Sequence, residues 1–414
     1  MADTKNDKNS NSPALRFPGF TEPWKKMKLS SIANIVGRIG FRGYTTNDIV
    51  KKGEGALALS PTNIENNTLT YDKENTYVSF SKYEESPEIQ LTEGDIVFVK
   101  TGSTVGKVAF VSNLNTKTTI NPQLVVLKEL KVDSYLLSVI LSTNLFQNNI
   151  KRITVGGAVP TLSQNAMGQI FVSIPSKEEQ QKIAELLRLI DERIATQRRL
   201  IEDLEKLKSS INETLYVSLA TDYKISFYEI GSDYAGLTGK SAEDFGVGKP
   251  FISYLNVYQN QVITDCNFDY VEIRDGENQN KVQKGDLLFT LSSETPEEIG
   301  YSAVYMGDAN ELYLNSFCFG IHIPESKIVY PPYMGYLTST SYFRRKIIPY
   351  AQGSTRFNLH KPSLMNMKFS LPAKENQKKI FIMLQLIVEK IYTEKEILSN
   401  LTHQRNYLLT RLFI

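Results

Sequence analysis

Hydrophobic residues recur at alternating spacings of three and four along two long segments of the chain. The first series is Ile183, Leu187, Ile190, Ile194, Ile201, Leu204, Ile211 and Leu215. The second series is Ile380, Leu384, Ile387, Ile391, Leu398, Leu401, Leu408 and Leu412. This is the heptad period of coiled coils, and it predicts long helices over residues 176–217 and 373–414. Polar residues interrupt the two series at matching places, which are Gln197 and Lys208 in the first and Glu394 and Arg405 in the second.

Outside these segments the pattern changes to short runs of β-branched and aromatic residues bounded by Gly, Asn and Pro, which predict strands. The runs are Asp95–Val99, Val108–Val111, Leu124–Leu127 and Ile170–Ile174, then Asp286–Thr290, Ala303–Met306, Phe317–Ile323 and Lys368–Leu371. Apolar residues at helical spacing also predict one helix over Tyr135–Lys151 and another over Tyr333–Ile348. The chain is therefore predicted to hold β-rich α+β domains.

The two halves of the chain repeat each other. Residues 143–217 align without a gap on residues 340–414, a constant shift of 197, so that Pro175–Ile183 falls on Pro372–Ile380. Upstream the shift drops to 193 and 191, which places insertions in loops. Because solenoid repeats run at roughly 20 to 50 residues, this period indicates a duplicated domain. We predict a disordered tail (1–14), a domain (15–175), a helix (176–217), a second domain (218–372) and a second helix (373–414).

Each long helix needs a partner for its apolar seam. Ser176 with Glu179 predicts a capping box at the first helix start. We expect the helices to pair with each other in antiparallel fashion, because an intramolecular partner is always at high effective concentration. Such pairing relates the halves by a pseudo-two-fold axis, separates the domains by a rod of about 60 Å, and brings Gln197 close to Glu394. Homodimerisation through the helices is the alternative.

Composition narrows the class of protein. Hydrophobic residues make up 41% and charged residues 22% of the 414 residues, which is ordinary for globular proteins. Two cysteines, Cys266 and Cys318, are too few for a disulfide framework. Because the N-terminus lacks an apolar signal core and no later stretch suits a membrane span, we expect a cytoplasmic protein with no membrane partner. Net charge is +4 over residues 1–175 and −4 over residues 218–372, which neither supports nor excludes nucleic acid.

A repeated set of features resembles the DNA specificity subunit of type I restriction-modification systems. The set comprises the segment Leu15–Phe20 followed by Trp24, a Gly-Asp strand start at Asp95 and Asp286, and P-x-x-x-E-Q-x-x-I leading from Pro175 into a heptad helix. The second helix entry carries Asn376 where Glu179 stands in the first. The resemblance covers residues 15–414.

This resemblance implies a division of labour. Residues 15–175 and 218–372 would be target recognition domains, each reading one half of an asymmetric bipartite site in double-stranded DNA. The helices would set the spacer between the half-sites and dock two methyltransferase (M) subunits, with two restriction (R) motor subunits completing the complex. The chain itself would be non-catalytic and bind no cofactor, while S-adenosylmethionine, ATP and magnesium are expected on the partner subunits.

Two segments imitate nucleotide-binding and methyltransferase motifs. Thr101–Lys107 resembles a phosphate loop, but Gly102 and Gly106 are one residue too close, so we expect a turn between strands whose lysines meet phosphate. Asn121–Leu124 reads Asn-Pro-Gln-Leu and lacks the second Pro and the aromatic residue of the adenine methyltransferase motif.

A third pattern imitates a metal-dependent nuclease, with Asp95 near Glu129 and Lys131, and its repeat in Asp286, Glu325 and Lys327. Gly-Asp turns and solvated Glu-x-Lys pairs are common, so we favour the structural interpretation. The histidines, His322, His360 and His403, are too scattered for a metal site or a catalytic triad. We therefore predict no catalytic and no metal-binding residues.

DNA-contacting candidates are basic residues, since Arg and Lys bind phosphate or guanine edges. In the first domain they are Arg38, Arg42, Lys100, Lys107, Lys151 and Arg152. In the second they are Lys249, Arg274, Arg344, Arg345, Lys346, Arg356 and Lys361. A solvated charged surface explains any single one equally well. Two alternatives stay open for the whole chain: a coiled-coil scaffold with protein-binding β domains, or a self-contained DNA-modifying enzyme.

Overall fold

The computed structural model describes residues 12–71, 74–155, 159–219, 222–265 and 267–413, except for the side chain of Phe41. The chain divides into unit 1, Met1–Thr196 with Leu398–Ile414, and unit 2, Gln197–Ile397. Residues 1–11 of the predicted tail lie outside the described residues. Pro13, near the end of that predicted tail, is buried. Each unit thus holds one β-rich domain and parts of both long helices.

The strands of unit 1 are β1 (Lys25–Lys28), β2 (Asn34–Gly37), β3 (Ile49–Val50), β4 (Gly55–Leu59), β5 (Ile64–Glu65), β6 (Thr68–Leu69), β7 (Thr76–Ser79), β8 (Ile96–Val99), β9 (Val108–Phe110), β10 (Thr118–Ile120), β11 (Leu124–Lys128) and β12 (Phe171–Ile174). One four-stranded sheet has the order β2–β11–β8–β9 and another the order β10–β4–β7–β3. β1 pairs with β12. The continuous apolar run of β8 is explained by burial on both faces: Ile96 and Phe98 enter one hydrophobic core, and Val97 and Val99 enter another.

The strands of unit 2 are β13 (Tyr223–Ile225), β14 (Ser232–Ala235), β15 (Phe245–Ile252), β16 (Val262–Ile263), β17 (Asp269–Val271), β18 (Leu287–Thr290), β19 (Ser292–Ser293), β20 (Ser302–Tyr305), β21 (Tyr313–Leu314), β22 (Cys318–His322), β23 (Ala351–Gln352), β24 (Phe357–Leu359) and β25 (Phe369–Leu371). A five-stranded sheet, β14–β22–β18–β20–β16, repeats the first sheet of unit 1 with one strand added. The orders β17–β15–β21 and β19–β24–β23 form smaller sheets. Central strand β18 again places alternate residues, Phe289 and Leu288, in two cores.

The helices are α1 (Leu29–Ile32), α2 (Phe80–Glu84), α3 (Ser134–Ser142), α4 (Asn144–Ile153), α5 (Gln164–Gly168), α6 (Lys177–Leu219), α7 (Phe227–Ile230), α8 (Tyr254–Gln259), α9 (Pro331–Ser339), α10 (Ser341–Ile347), α11 (Lys361–Asn366) and α12 (Lys374–Leu412). The prediction of one helix over Tyr135–Lys151 and one over Tyr333–Ile348 was wrong, since each is two helices. Thr143 and Thr340 break them, because each has an extended backbone and its hydroxyl caps the next helix by accepting the N–H of the residue three positions on.

The long helices α6 and α12 run antiparallel within each unit, as predicted. In unit 1, Leu187 of α6 shares a core with Leu412 at the end of α12. In unit 2, Tyr216 near the end of α6 shares a core with Ile380 and Leu384 near the start of α12. The predicted seam residues are buried or half-buried throughout: Ile183, Leu187, Ile190, Ile194, Gln197, Ile201, Leu204, Ile380, Leu384, Ile387, Ile391, Glu394, Leu398 and Leu401.

The polar interruptions of the seam are partnered. Gln197 donates from Nε2 to the Glu394 carboxylate and to the Glu394 backbone oxygen at 3.1 Å, which confirms their predicted proximity. Arg405 binds Asp191, with its Nη2 at 3.0 Å from Oδ2. Lys208 donates to Gln261 Oε1 at 3.4 Å. Each interruption therefore has a polar partner among the residues that pack against its helix.

The repeated glutamine of the helix entries ties each long helix to its domain. Gln180 Oε1 accepts the Asp133 N–H at 2.9 Å, and Gln377 Oε1 accepts the Tyr330 N–H at 2.8 Å. The side-chain nitrogen of each glutamine donates to the backbone oxygen of the proline five residues before it. Both glutamines are buried, so these hydrogen bonds replace water that the backbone has lost.

Of the two hydrogen bonds that define the predicted capping box at Ser176, the one accepted by the Ser176 hydroxyl forms. Ser176 Oγ accepts the Glu179 N–H at 3.3 Å. The Glu179 carboxylate is fully buried and instead accepts Arg16 Nε and Nη2, both at 2.7 Å, and Trp24 Nε1 at 3.1 Å. A carboxylate satisfied by a bidentate guanidinium and an indole anchors the N-terminal segment on the helix start. Asn376, the counterpart of Glu179, cannot make this ion pair.

Candidate nucleic-acid interface

One turn lies at the same place in the sheet of each unit. Residues 100–107 join β8 to β9, and residues 291–301 join β18 to β20. The segment that imitates a phosphate loop is thus a turn between strands, as expected. Gly102 and Gly106 adopt φ of +107° and +100°, values that favour glycine.

A side chain from α4 in unit 1, and from α10 in unit 2, holds each turn. Gln147 Nε2 donates to Gly106 O at 2.8 Å, and Arg344 Nη1 donates to Gly300 O at 2.9 Å. Arg344 Nη2 also donates to Glu297 O at 2.9 Å. Gln147 and Arg344 are counterparts in the repeat, so both turns are fixed in one way. These carbonyls occupy the Arg344 guanidinium, and burial lowers its pKa, so Arg344 has a structural role in the turn.

A hairpin that follows the same helix pairs with each turn. Leu162 N–H donates to Lys100 O, and Leu359 N–H donates to Leu291 O, both at 2.8 Å. In unit 1, Thr101 bridges to Thr161. In unit 2, β19 pairs with β24 in antiparallel register. Segments more than 50 residues apart in sequence are thereby joined.

An Asx turn before the next strand completes the arrangement. Asn121 Oδ1 accepts the Gln123 N–H at 3.0 Å, and Asn315 Oδ1 accepts the Phe317 N–H at 2.9 Å. The carbonyls of Gln123 and Phe317 then accept the N–H groups of residues 100 and 291. Asn121 therefore shapes a turn, where a methyltransferase motif would present it to a base.

We define the first tip as residues 100–107, 121–123, 155 and 159–162, and the second tip as residues 291–301, 315–317 and 351–359. The two tips share one backbone frame and carry different side chains. Where the first has Gln123 and Val159, the second has Phe317 and Arg356. Gln123 is exposed, Phe317 is 52% exposed, and the Arg356 guanidinium lies 5.3 Å from the Phe317 ring centroid.

The basic candidates of unit 1 fall into two groups. Arg38 is 6% exposed and donates to Ile120 O and Thr119 Oγ1 at 3.1 Å each, so its guanidinium is engaged inside the domain. Arg42 lies 3.6 Å from a Glu88 carboxylate oxygen. The remaining candidates lie in or beside the first tip and are exposed or half-exposed; they are Lys100, Lys107, Lys151 and Arg152.

Most basic candidates of unit 2 have internal partners. Lys249 pairs with Glu311 at 2.5 Å, Arg274 with Asp244 at 2.8 Å and Lys361 with Asp233, and Lys346 donates to Lys368 O at 3.1 Å. Arg345 and Arg356 are exposed and have no carboxylate partner among the described residues. Arg356 is therefore the basic candidate of unit 2 that lies in a tip and keeps its charge unpaired.

The nuclease-like pattern is not assembled. The Asp95 carboxylate accepts the Thr92 N–H at 2.9 Å and Lys128 Nζ at 2.6 Å, while Glu129 and Lys131 line a separate cavity of about 520 Å³. The Asp286 carboxylate accepts Tyr234 OH at 2.7 Å and contacts His322 Nδ1 at 2.8 Å.

Within the described ranges, no three His, Cys, Asp or Glu side chains are grouped as metal ligands would be. Cys318 is buried, and Cys266 lies outside the described residues.

Sequence reasoning missed Gln123, Phe317 and the turn-holding Gln147. A usable signal existed for the first two, since Asn121 and Asn315 stand two residues before them at a shift of 194. Only basic residues were predicted as DNA contacts. An exposed glutamine or phenylalanine becomes a candidate only when the turn beside it is known.

Comparison with known proteins gives a consistent result. The model of the type I restriction modification DNA specificity domain matches the chain twice, over residues 21–206 and 219–403. The type I restriction enzyme MjaVIII specificity subunit of Methanocaldococcus jannaschii is 26% identical over 313 residues, which cover 70% of this chain and 71% of that protein.

Solved structures show a similar fold. The S subunit of a type I restriction-modification system from M. genitalium aligns over 97% of this chain and 99% of its own, with a TM-score of 0.55 and 17% identity. A chain from a study of complex assembly and conformational transition of the type I R-M system aligns over 96% and 99%, with a TM-score of 0.55 and 14% identity. At these identities the likeness shows the fold alone. In the part of the chain that the structure describes, no helix has the length and apolar character that crossing a bilayer requires.

Proposed function

Because the chain belongs to the family of type I restriction-modification DNA specificity domains, which match it twice, we propose that each unit reads one half of a bipartite site in double-stranded DNA. Like the specificity subunits it resembles, the chain is non-catalytic by itself. Its two tips are the proposed reading elements, and its long helices set the spacer between the half-sites.

The observation that carries this proposal is one hydrogen-bonded frame that presents different side chains in the two units. Turn, hairpin and Asx turn are joined by equivalent hydrogen bonds. Sequence is read by side chains that reach base edges, while contacts to phosphate only position the protein. A constant frame with variable tips suits a protein that docks twice in one manner and reads two different sequences.

The helices support the docking of two identical methyltransferase subunits. Leu189 of α6 and Leu386 of α12 occupy matching places in the repeat, and they are 59% and 60% exposed. Leu186 and Met383, one turn earlier, flank them on the same side. Large apolar side chains at matching exposed positions suit one kind of partner bound once in each unit. We propose that S-adenosylmethionine binds the methyltransferase subunits. ATP and magnesium would bind the restriction subunits.

Co-purification tests this proposal. The chain, expressed with a methyltransferase subunit from the same host, should purify with it as a complex that methylates adenine in only a subset of DNA fragments. Omitting the chain should abolish this selectivity. A chain that binds no methyltransferase subunit but captures other proteins would support the scaffold alternative, and methylation by the chain alone would support the enzyme alternative.

Variants of the exposed leucines sharpen the test. Leu189→Asp and Leu386→Asp should each reduce the bound methyltransferase subunits from two to one, as measured by mass photometry. Ala195→Asp is the matched control, because it places the same charge at an exposed position about 120° around α6 from Leu189. Equal loss in all three variants would contradict docking at these leucines.

A further inference from the structure

The residue two positions after each Asx-turn asparagine occupies one structural place in both tips. The backbone oxygens of Gln123 and Phe317 accept N–H groups at 2.9 and 2.8 Å from residues 100 and 291. Their own N–H groups are held by Asn121 and Asn315. Backbone position is therefore fixed on both sides, and only the projecting side chain differs.

The first tip presents an oriented amide. Asn121 Nδ2 donates to Gln123 Oε1 at 3.1 Å, so the exposed glutamine is held by its neighbour. One lone pair of Oε1 and both N–H bonds of Nε2 stay available, because a primary amide has two donors and two acceptor sites. A donor and an acceptor side by side match the N6 and N7 edge of adenine in the major groove.

The second tip presents an oriented guanidinium. The central carbon of the Arg356 guanidinium lies 5.3 Å from the centroid of the exposed Phe317 ring, a cation–π contact that holds the charged group beside the ring. This contact uses no oxygen acceptor, so the N–H groups of the guanidinium stay available as donors. Two parallel donors match O6 and N7 of guanine, whereas Val159, the counterpart in the first tip, has no hydrogen-bonding side chain.

We propose that Gln123 reads an adenine in one half-site and that Arg356, positioned by Phe317, reads a guanine in the other. This assignment rests on the proposed DNA-reading function and adds which side chains read and which bases they accept. It predicts direct base contacts, in contrast to the phosphate contacts that any exposed basic residue could make.

Base analogues test the assignment in the full complex of the chain with its methyltransferase subunits. The target motif is first read from the methylated positions in a random duplex library. Each guanine of that motif is then replaced in turn by 7-deazaguanine and each adenine by 7-deazaadenine, which lack the N7 acceptor but keep base pairing. Fluorescence anisotropy gives the Kd of each duplex for wild type, Gln123→Ala, Arg356→Ala and Arg356→Lys.

The expected result is a paired loss. At one guanine, 7-deaza replacement should weaken wild-type binding about tenfold and leave Arg356→Ala binding unchanged. At one adenine of the other half-site, 7-deaza replacement should weaken wild-type binding by a similar factor and leave Gln123→Ala binding unchanged. Arg356→Lys should keep most non-specific affinity and lose discrimination at the same guanine, because lysine is a point charge without the fork.

Arg345→Ala is the matched control, since Arg345 is an exposed cation of the same unit outside the tip. It should lower affinity slightly and equally on every duplex. The assignment would be overturned if Arg356→Ala or Gln123→Ala behaved like this control or changed nothing. If the wild-type complex showed no sequence preference, the proposed function would be contradicted, and this assignment with it.

Discussion

The two tips differ in side chains while sharing a backbone frame, and this contrast separates two tasks within one chain. In the first tip, Gln123 is exposed and held by an asparagine, and Val159 stands where the second tip has Arg356. In the second, the Arg356 guanidinium makes a cation–π contact with Phe317. The hydrogen bonds that build the two tips agree to within a few tenths of an ångström. Residues that build the frame should therefore matter for stability in both units, and residues that project from it should matter for one half-site only.

The largest effect is expected at the helix entries, where the two units are most alike. Gln377→Leu removes hydrogen bonds to Tyr330 N, Pro372 O and Ile328 O, each at 2.8 Å. One buried and two partly buried backbone groups lose their partner, so the free energy of unfolding should fall by about 4 kcal/mol. Gln180→Leu removes two such bonds and should cost about 3 kcal/mol. Urea denaturation of the full chain measures both.

Gln181→Leu serves as control for these substitutions, because Gln181 is exposed beside Gln180. Its unfolding free energy should change by less than about 0.5 kcal/mol. Losses below about 1 kcal/mol in both entry variants would contradict the structural role of the repeated glutamine.

The next effect is local to one tip. Arg344→Ala leaves the carbonyls of Glu297 and Gly300 without their donor, which should cost about 2–3 kcal/mol and loosen the second tip. Hydrogen exchange should quicken at residues 297–301 and stay unchanged at residues 100–107. Gln147→Ala should give the reverse pattern. Equal quickening in both tips would show that the tips are not independent.

A smaller effect distinguishes the helix contacts of the two units. Asp191 accepts Arg405 and Tyr135 OH, the latter at 2.7 Å, whereas its counterpart in the repeat is Val388. Asp191→Asn should cost about 1–2 kcal/mol, since the pair is partly exposed. Lys208→Met should be neutral or stabilising, because burial lowers the pKa of Lys208. Thermal unfolding of both variants checks this contrast, and a large loss with Lys208→Met would contradict it.

The smallest effect is a pH dependence at the Gln197–Glu394 contact. Lys390 and then Gln197 lower the pKa of the Glu394 carboxyl below its usual 4.5. A lowered pKa stabilises the folded state above that usual value, and this stability is lost as the pH falls through the folded pKa. Thermal unfolding between about pH 6 and pH 3 should show a drop that Glu394→Gln reduces. Glu389→Gln, an exposed position on the same helix, should leave the profile unchanged.

Local patterns were enough to predict the long helices and the buried central strands. The heptad series and the apolar run of β8 are signals carried by neighbouring residues, and their burial follows directly. The break at Thr143 was missed because the apolar spacing continues through it, although a capping threonine three residues before Phe146 marked the second helix start.

The tips could not be predicted, because each joins three segments that are distant in sequence. Sequence alone treats every arginine alike, yet Arg38 is buried against backbone oxygens, Arg344 holds a turn and Arg356 projects from a tip. Only tertiary packing distinguishes these roles. For the same reason the Asn121 signal did not single out Gln123, because the exposure of its side chain depends on how the turn packs.

Sequencing of methylated adenines tests the central claim most directly. DNA from a methylation-free host that expresses the chain with its methyltransferase subunit should carry one bipartite motif, with two different half-sites separated by a fixed stretch of unread base pairs. The Arg356→Ala chain should change one half-site and leave the other half-site and the spacing intact. A palindromic motif, an uninterrupted motif, or a change in both half-sites with this variant would contradict two independent tips on one frame.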